Sequence, residues 1–258
     1  MKTKLSFILI VCVVGLLCSA QSPADTSKTT TIVVPEEPKE PQVCHVGSTL
    51  VEGNYCPKPE EVCLHWIDPP TSVARRCAEY KQPAKCLVKT VKMKYCITTE
   101  ELYNPETKMP LNDQTFGQCE KRCSEQGMRL CSHPEWMFAC EGEANNPYPY
   151  GFTRDVGACD IEHKPFKKCG KKNCDYSSSI TDYPKCVSPF GIHNMIGSVD
   201  EWTRVPEYYA PASGLHLTST LSGGHAGGGR HRCEPMTYGH GQFYSDTTTG
   251  CRCCGDAK

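Results

Sequence analysis

The sequence has little that suits a membrane span or a nucleic-acid partner. Its one long apolar run, Leu5 to Leu17, falls short of the roughly 20 residues a bilayer needs, and nothing of that length recurs between Gln21 and Lys258. Neither sign of charge dominates, with 28 Lys and Arg against 29 Asp and Glu. That balance leaves no basic excess to neutralise phosphates and excludes a disordered polyelectrolyte. There is no internal repeat, no Gly-x-Ser-x-Gly nucleophile elbow, no phosphate-cradling Gly-x-x-x-x-Gly-Lys loop and no His-Glu-x-x-His helix, so the common hydrolase, nucleotide and zinc-protease chemistries lack support. The acidic pairs Glu60-Glu61 and Glu100-Glu101 are sequence neighbours, which does not set them across a cleft as glycoside hydrolysis requires.

Cysteine is what the chain has in excess: 20 in 258 residues, a density that implies a covalent framework. The N-terminus supplies the route to oxidation. Lys2 and Lys4, the apolar run and the small residues Ser19 and Ala20 follow the order of a secretory signal, with cleavage expected after Ala20. Lipidation of Cys18, which would tether the chain to a membrane face, is the alternative. Loss of residues 1–20 removes Cys12 and Cys18 and leaves 18 cysteines, an even number able to form up to nine disulfides in a secreted or periplasmic protein. Residues 21–43, rich in Ser, Thr, Pro, Lys and Glu, read as a flexible spacer. Residues 44–258 read as one cross-linked domain.

Regular structure should be sparse, because 21 glycines and 20 prolines interrupt most periodic windows. One helix is expected over Thr115 to Gln126, with Asp113 as its cap and Gly127 as its stop. A second is expected over His133 to Cys140, where Ser132 and Glu135 have capping-box spacing and Pro134 sits in the first turn. Short strands are expected at Thr49 to Val51, Leu87 to Cys96 and Leu217 to Ser222, and a loop at Pro206 to Gly214.

From the first helix onward the order of motifs is informative. Arg129-Leu130-Cys131-Ser132-His133-Pro134-Glu135-Trp136 is followed by Tyr148-Pro149-Tyr150-Gly151. Next comes Ser188-Pro189-Phe190-Gly191-Ile192-His193-Asn194-Met195-Ile196-Gly197-Ser198-Val199-Asp200-Glu201-Trp202, then Gly223-Gly224 and Gly250-Cys251-Arg252-Cys253. Together they resemble the formylglycine-generating enzyme family, also called sulfatase-modifying factors, clearly over 113–254 and more faintly over 44–112. The resemblance implies an α+β domain with that family's variant of the C-type-lectin-like fold, poor in regular structure and, here, rich in disulfides.

The resemblance also implies a calcium site at Asn194, Gly197, Val199 and Glu201, a mixture of amide, carbonyl and carboxylate oxygens that suits a hard cation. Asp160 and Ile161 stand where a second calcium site would begin. Without the resemblance, Asn194 reads as a turn residue and Glu201 as a solvated or capping carboxylate. The family enzymes oxidise a substrate cysteine at copper(I) held by two cysteine thiolates shortly after the Gly-Gly pair, a soft-ligand choice that suits this ion. Here Gly228 stands at the first position and only Cys233 matches the second, so copper is not expected. A thiol pair would require Cys233 to combine with Cys251, Cys253 or Cys254.

Ser198, Asp200 and Cys251 also depart from the family pattern. His225, His231 and His240, with Arg230 and Arg232, share one glycine-rich stretch, but their spacing matches no common metal motif and reads as a solvated surface loop. His133 reads as exposed. The expected function is an exported domain that binds an extracellular peptide or glycan. An active oxidase with a rearranged thiol pair and a structural cell-envelope protein are the alternatives.

Overall fold

The computed structural model describes residues 43–72, 75–162, 168–169, 172–173, 178–206, 218–225, 231–234, 236–237 and 239–258. All belong to one compact unit, Pro41–Lys258. The expected signal and spacer, Gly228 and most of the expected loop at Pro206 to Gly214 lie outside the described residues.

In chain order the elements are strands β1 (Ser48–Tyr55), β2 (Cys63–Trp66), β3 (Cys77–Tyr80) and β4 (Val91–Thr98), helix α1 (Phe116–Glu125), β5 (Arg129–Leu130) and helix α2 (His133–Glu141). There follow β6 (Lys168–Cys169), β7 (Lys172–Asn173), β8 (Asp200–Arg204), β9 (Ser219–Ser222), β10 (Met236–Thr237), β11 (Thr249–Cys251) and β12 (Cys253–Gly255). Two four-stranded sheets, ordered β1-β4-β12-β5 and β10-β9-β8-β11, carry the core, and β2-β3 and β6-β7 form separate hairpin pairs. The last strands therefore fill interior positions in one sheet and an edge in the other, which ties the chain's end to its beginning.

Helix α1 forms where expected, but its cap is Thr115 in place of Asp113. The Gln118 amide donates to Thr115 Oγ1, and Gln118 Oε1 accepts from the Thr115 amide, which satisfies two otherwise orphaned donors. Its buried face is Phe116, Cys119 and Cys123. Helix α2 keeps the expected start, with Glu135 Oε2 accepting from the Ser132 amide at 2.9 Å, yet every one of its residues is buried. His133 is thus a correction: it is 1% exposed because α2 is packed on all sides, and its Nδ1 lies 3.1 Å from Ser222 Oγ. Burial pulls its pKa down to about 3, which keeps the ring neutral.

Two strand boundaries also move. β1 runs past Val51 to Tyr55 because it pairs with β4 along its whole length, from Ser48 opposite Thr98 to Tyr55 opposite Val91. β4 begins at Val91 and not at Leu87, since Leu87 turns aside to donate its amide to Lys58 O while Cys86 bonds to Cys56. β9 covers Ser219–Ser222, within the expected stretch.

Eight disulfides join the described cysteines: 44–96, 56–86, 63–77, 119–251, 123–253, 131–254, 140–233 and 159–186. The other two, Cys169 and Cys174, lie outside the described side chains. The geometry behind the C-terminal trio is simple. Cys119 and Cys123 are one helical turn apart, about 6 Å along the axis, and they bond to Cys251 at the end of β11 and to Cys253 at the start of β12. Cys254 points to the opposite face of the strand and reaches Cys131 instead.

Candidate functional site

Two places correspond to the chemistry expected from the sequence. The first is the loop ahead of β8. Asn194, Gly197 and Ser198 all have positive φ, at 54°, 75° and 55°, and the loop they fold presses against the chain at Asp160. A Cβ on Gly197 would lie 2.2 Å from Asp160 O, so only glycine fits there. The structure thus brings the two expected calcium segments together, with the Ser198 amide donating to Asp160 O at 3.4 Å. The Asp160 carboxylate accepts from Ser178 Oγ at 2.6 Å, Ile161 points into the core, and Asn194 Nδ2 donates to Ile180 O.

Glu201 is the decisive side chain, and it is not solvated. It is 1% exposed, and its carboxylate faces the guanidinium of Arg252, which is fully buried. Arg252 Nε donates to both oxygens at 2.9 and 3.0 Å, Nη1 to Thr98 O at 3.0 Å and Nη2 to His193 O at 2.8 Å. Trp136 Nε1 donates to Glu201 Oε2 at 2.5 Å. Arg252 is thus a counter-charge for Glu201 within the chain, and a cation bound there would have to share the carboxylate with it.

The second place is the surface around Cys233. Cys233 is bonded to Cys140 at the end of α2, and Cys251, Cys253 and Cys254 to Cys119, Cys123 and Cys131. In this oxidised form none of the four offers a thiolate. A rearranged pair among them is therefore absent from the structure, because each sulfur has a nearer partner outside the set.

What surrounds the Cys140–Cys233 bond was not legible in the sequence. Arg232 lies between Glu61 and Glu234, at 3.1 and 2.7 Å, and its side chain is only 27% exposed. Its Nη1 donates to Tyr80 Oη at 3.3 Å. Beneath them Glu141 is 1% exposed, and neither of its carboxyl oxygens has a hydrogen-bond partner. Arg232 and His231, read from sequence as solvated, are instead packed into the fold, with His231 Nε2 3.0 Å from His225 O.

Burial moves the charges of this cluster. It lifts the Glu61 carboxyl to about 7, against the opposing pull of Arg232 and with help from Glu234. It lifts Glu141 well above the ordinary carboxyl range, with Glu61 and Glu234 adding to the effect. Burial thus favours the uncharged form of both acids in this cluster. The missed signal was the chain order: Glu141 follows Cys140 and Glu234 follows Cys233, so a bond between those cysteines brings both carboxylates to one place. Among the described residues no group of three or more His, Cys, Asp or Glu is arranged to hold a metal.

Residues 72–257 match the Sulfatase-modifying factor enzyme 1-like domain, most of the chain. The protein belongs to this family. Its fold is the family's α+β variant of the C-type-lectin-like architecture, strand-rich, with two helices among the described residues and a disulfide framework. Similar solved structures include Treponema denticola variable protein 1, at 14% identity over 80% of this chain and 99% of that one, TM-score 0.49. CarF is 12% identical over 82% and 98%, TM-score 0.48, and PvdO from Pseudomonas aeruginosa 11% identical over 81% and 94%, TM-score 0.46. Likenesses this distant identify neither a ligand nor an activity. Among curated proteins none matches the sequence. No helix among the described residues is long and apolar enough to cross a membrane, and this, with the many disulfides, is consistent with an extracellular or periplasmic protein.

Proposed function

We propose that this member of the family is exported, does not oxidise cysteine, and binds an extracellular peptide at the surface around Cys233. The observation that carries the reading is the Cys140–Cys233 disulfide: the one cysteine at the family's expected copper position is closed into a bond, and a disulfide sulfur is no ligand for cuprous ion. In the family enzymes this part of the fold accepts a substrate peptide. Here a half-buried Arg232 between two carboxylates, backed by Tyr80, offers charged and hydrogen-bonding groups in place of a reactive thiolate.

The test has two arms. The exported protein, supplied with copper(I) and oxygen, is offered a cysteine-containing sulfatase peptide, and aldehyde formation is followed by hydrazide capture. No aldehyde is expected, and turnover would overturn the reading. Peptide-library binding to the same protein is then compared with binding to Arg232→Ala. Loss of the selected peptides supports the surface, whereas a glycan array that responds while peptides do not replaces one ligand class by the other.

Calcium belongs to this proposal only as an ion competing with Arg252 for Glu201. Thermal melts in millimolar calcium and in chelator test it, and an unchanged midpoint removes the ion from the account.

A further inference from the structure

The chain between Cys56 and Cys86, which begins ahead of the stretch matched to the family, folds into an arm with one open edge. From Lys58 to Ile67 it runs beside its own return: Leu87, Lys81 and Ile67 donate their amides to Lys58 O, Val62 O and Arg76 O, and Glu60 donates to Lys85 O, all at 2.7–3.0 Å. The shifts of register on either side of His65 cancel. Two disulfides of its own, Cys56–Cys86 and Cys63–Cys77, brace the arm. The return strand β3 is paired on its far side as well, with the Tyr80 amide donating to Phe152 O and the Arg154 amide to Ala78 O. Strand β2 is not. Among the described residues no main chain pairs with its outer edge.

This edge is apolar and little guarded. Val62, Leu64, Trp66 and Ile67 are each 37–49% exposed, and Cys63–Trp66 holds neither a proline nor a Lys, Asp or Glu, two of the usual devices that keep an edge from pairing. Arg75 lays its guanidinium over the Trp66 ring, 3.9 Å from the ring centre, and among the described residues no carboxylate stands within ion-pair reach of it. A guanidinium stacked by its face keeps donors free at its rim. At its other end the edge meets the surface around Cys233, because Glu61 pairs with Arg232 and Tyr80 Oη accepts from it.

We propose that an extended acidic peptide docks on β2 as an added strand, its main chain pairing with the outer edge and its carboxylate meeting Arg75. This deepens the peptide reading above, on which it rests, by naming how the ligand lies and which charge it carries. Main-chain pairing supplies affinity that tolerates sequence, and the exposed apolar side chains meet every second side chain of the ligand. The two disulfides hold the edge formed before the ligand arrives, so little ordering of the protein opposes binding. The unpaired cation and the continuity with the Cys233 surface favour this occupant over a second copy of β2, whose strand Cys63–Trp66 carries no acid.

The test uses the exported full chain and the fluorescence of Trp66, the exposed indole beside the edge, since Trp136 and Trp202 are fully buried. The probes are an end-capped hexapeptide of alternating valine and threonine with glutamate at one threonine position, its glutamine and lysine counterparts, and two forms N-methylated on alternate amides, each blocking one edge of the peptide. The glutamate peptide is expected to shift the emission saturably, the glutamine peptide to bind about threefold more weakly, the lysine peptide more weakly still, and at least one N-methylated form not to bind. Arg75→Gln, checked for folding by its melt, should erase the preference for glutamate while keeping the strand bound. Equal binding of the lysine peptide, undiminished binding of both N-methylated forms, or a preference that survives Arg75→Gln would overturn the inference. So would a dimer in sedimentation equilibrium that Leu64→Lys abolishes, which assigns the edge to a second copy. Library peptides that bind and are lost in Arg232→Ala while the Trp66 emission stays unchanged overturn this inference alone, and a library that yields no binder removes the peptide reading beneath it.

Discussion

Glu201 and Glu141 are both buried glutamates, each 1% exposed, and they differ in everything that matters. Around Glu201, between β8 and the C-terminal strands, Arg252 and Trp136 donate to both carboxylate oxygens and two backbone carbonyls complete the guanidinium. Around Glu141, beside the Cys140–Cys233 bond, both oxygens lack partners and the nearest charges include two further carboxylates. A fully matched buried ion pair specifies a fold. An unmatched acid costs stability, which is the mark of a place kept for another purpose. The contrast sets a matched structural pair against an acid whose two oxygens have no partner.

The sharpest way to break this comparison is to unmatch the matched pair. Arg252→Leu leaves the Glu201 carboxylate buried without its counter-charge and is expected to lose about 3–5 kcal/mol of stability in denaturant unfolding. A loss below 1 kcal/mol would make the two regions equivalent. Next in size is the covalent support of the first region. Replacing Cys131 and Cys254 together by serine opens a loop of 123 residues in sequence separation and should cost about 2–4 kcal/mol, read by the same measurement.

Glu141→Met should do the opposite, because it removes two unmatched acceptors while keeping the volume. A gain of about 1–2 kcal/mol at pH 8 is expected. The pH dependence sharpens this. Glu61 rises from an ordinary 4.5 to about 7 in the folded state, so the folded protein binds the proton more tightly than the unfolded chain. This contribution is fully present below pH 4.5 and is lost as pH climbs toward 7. Glu61→Gln should flatten the fall in melting temperature across that interval, and an identical slope in the variant would show that the cluster does not titrate there.

The smallest effect belongs to the surface. Glu120, paired with an Arg204 side chain that is 59% exposed, should be replaceable by alanine at a cost under about 1 kcal/mol, so a charge partner alone does not explain what Arg252 does.

Much of the scaffold was readable in one dimension. Both helices announced themselves through Gly127, Ser132, Glu135 and Pro134, since capping is a contact between residues three or four apart, although the first cap fell on Thr115 and not on Asp113. The edges of β4 were misread at Leu87 because the bond that diverts it, Cys56 to Cys86, acts across 30 residues. His133 was misjudged for a related reason: polarity at a helix start suggests solvent, and only the packing of β9 against α2 removes it.

The order of motifs, the even cysteine count after the expected signal and the local caps follow from sequence alone, because each depends on neighbours along the chain. Which cysteines bond, that Glu201 is answered by Arg252, and that Glu61, Glu141 and Glu234 meet around Arg232 were decided by tertiary structure. Burial and Coulomb interaction act through space. A carboxylate's partner 51 residues away leaves no trace in the residues beside it.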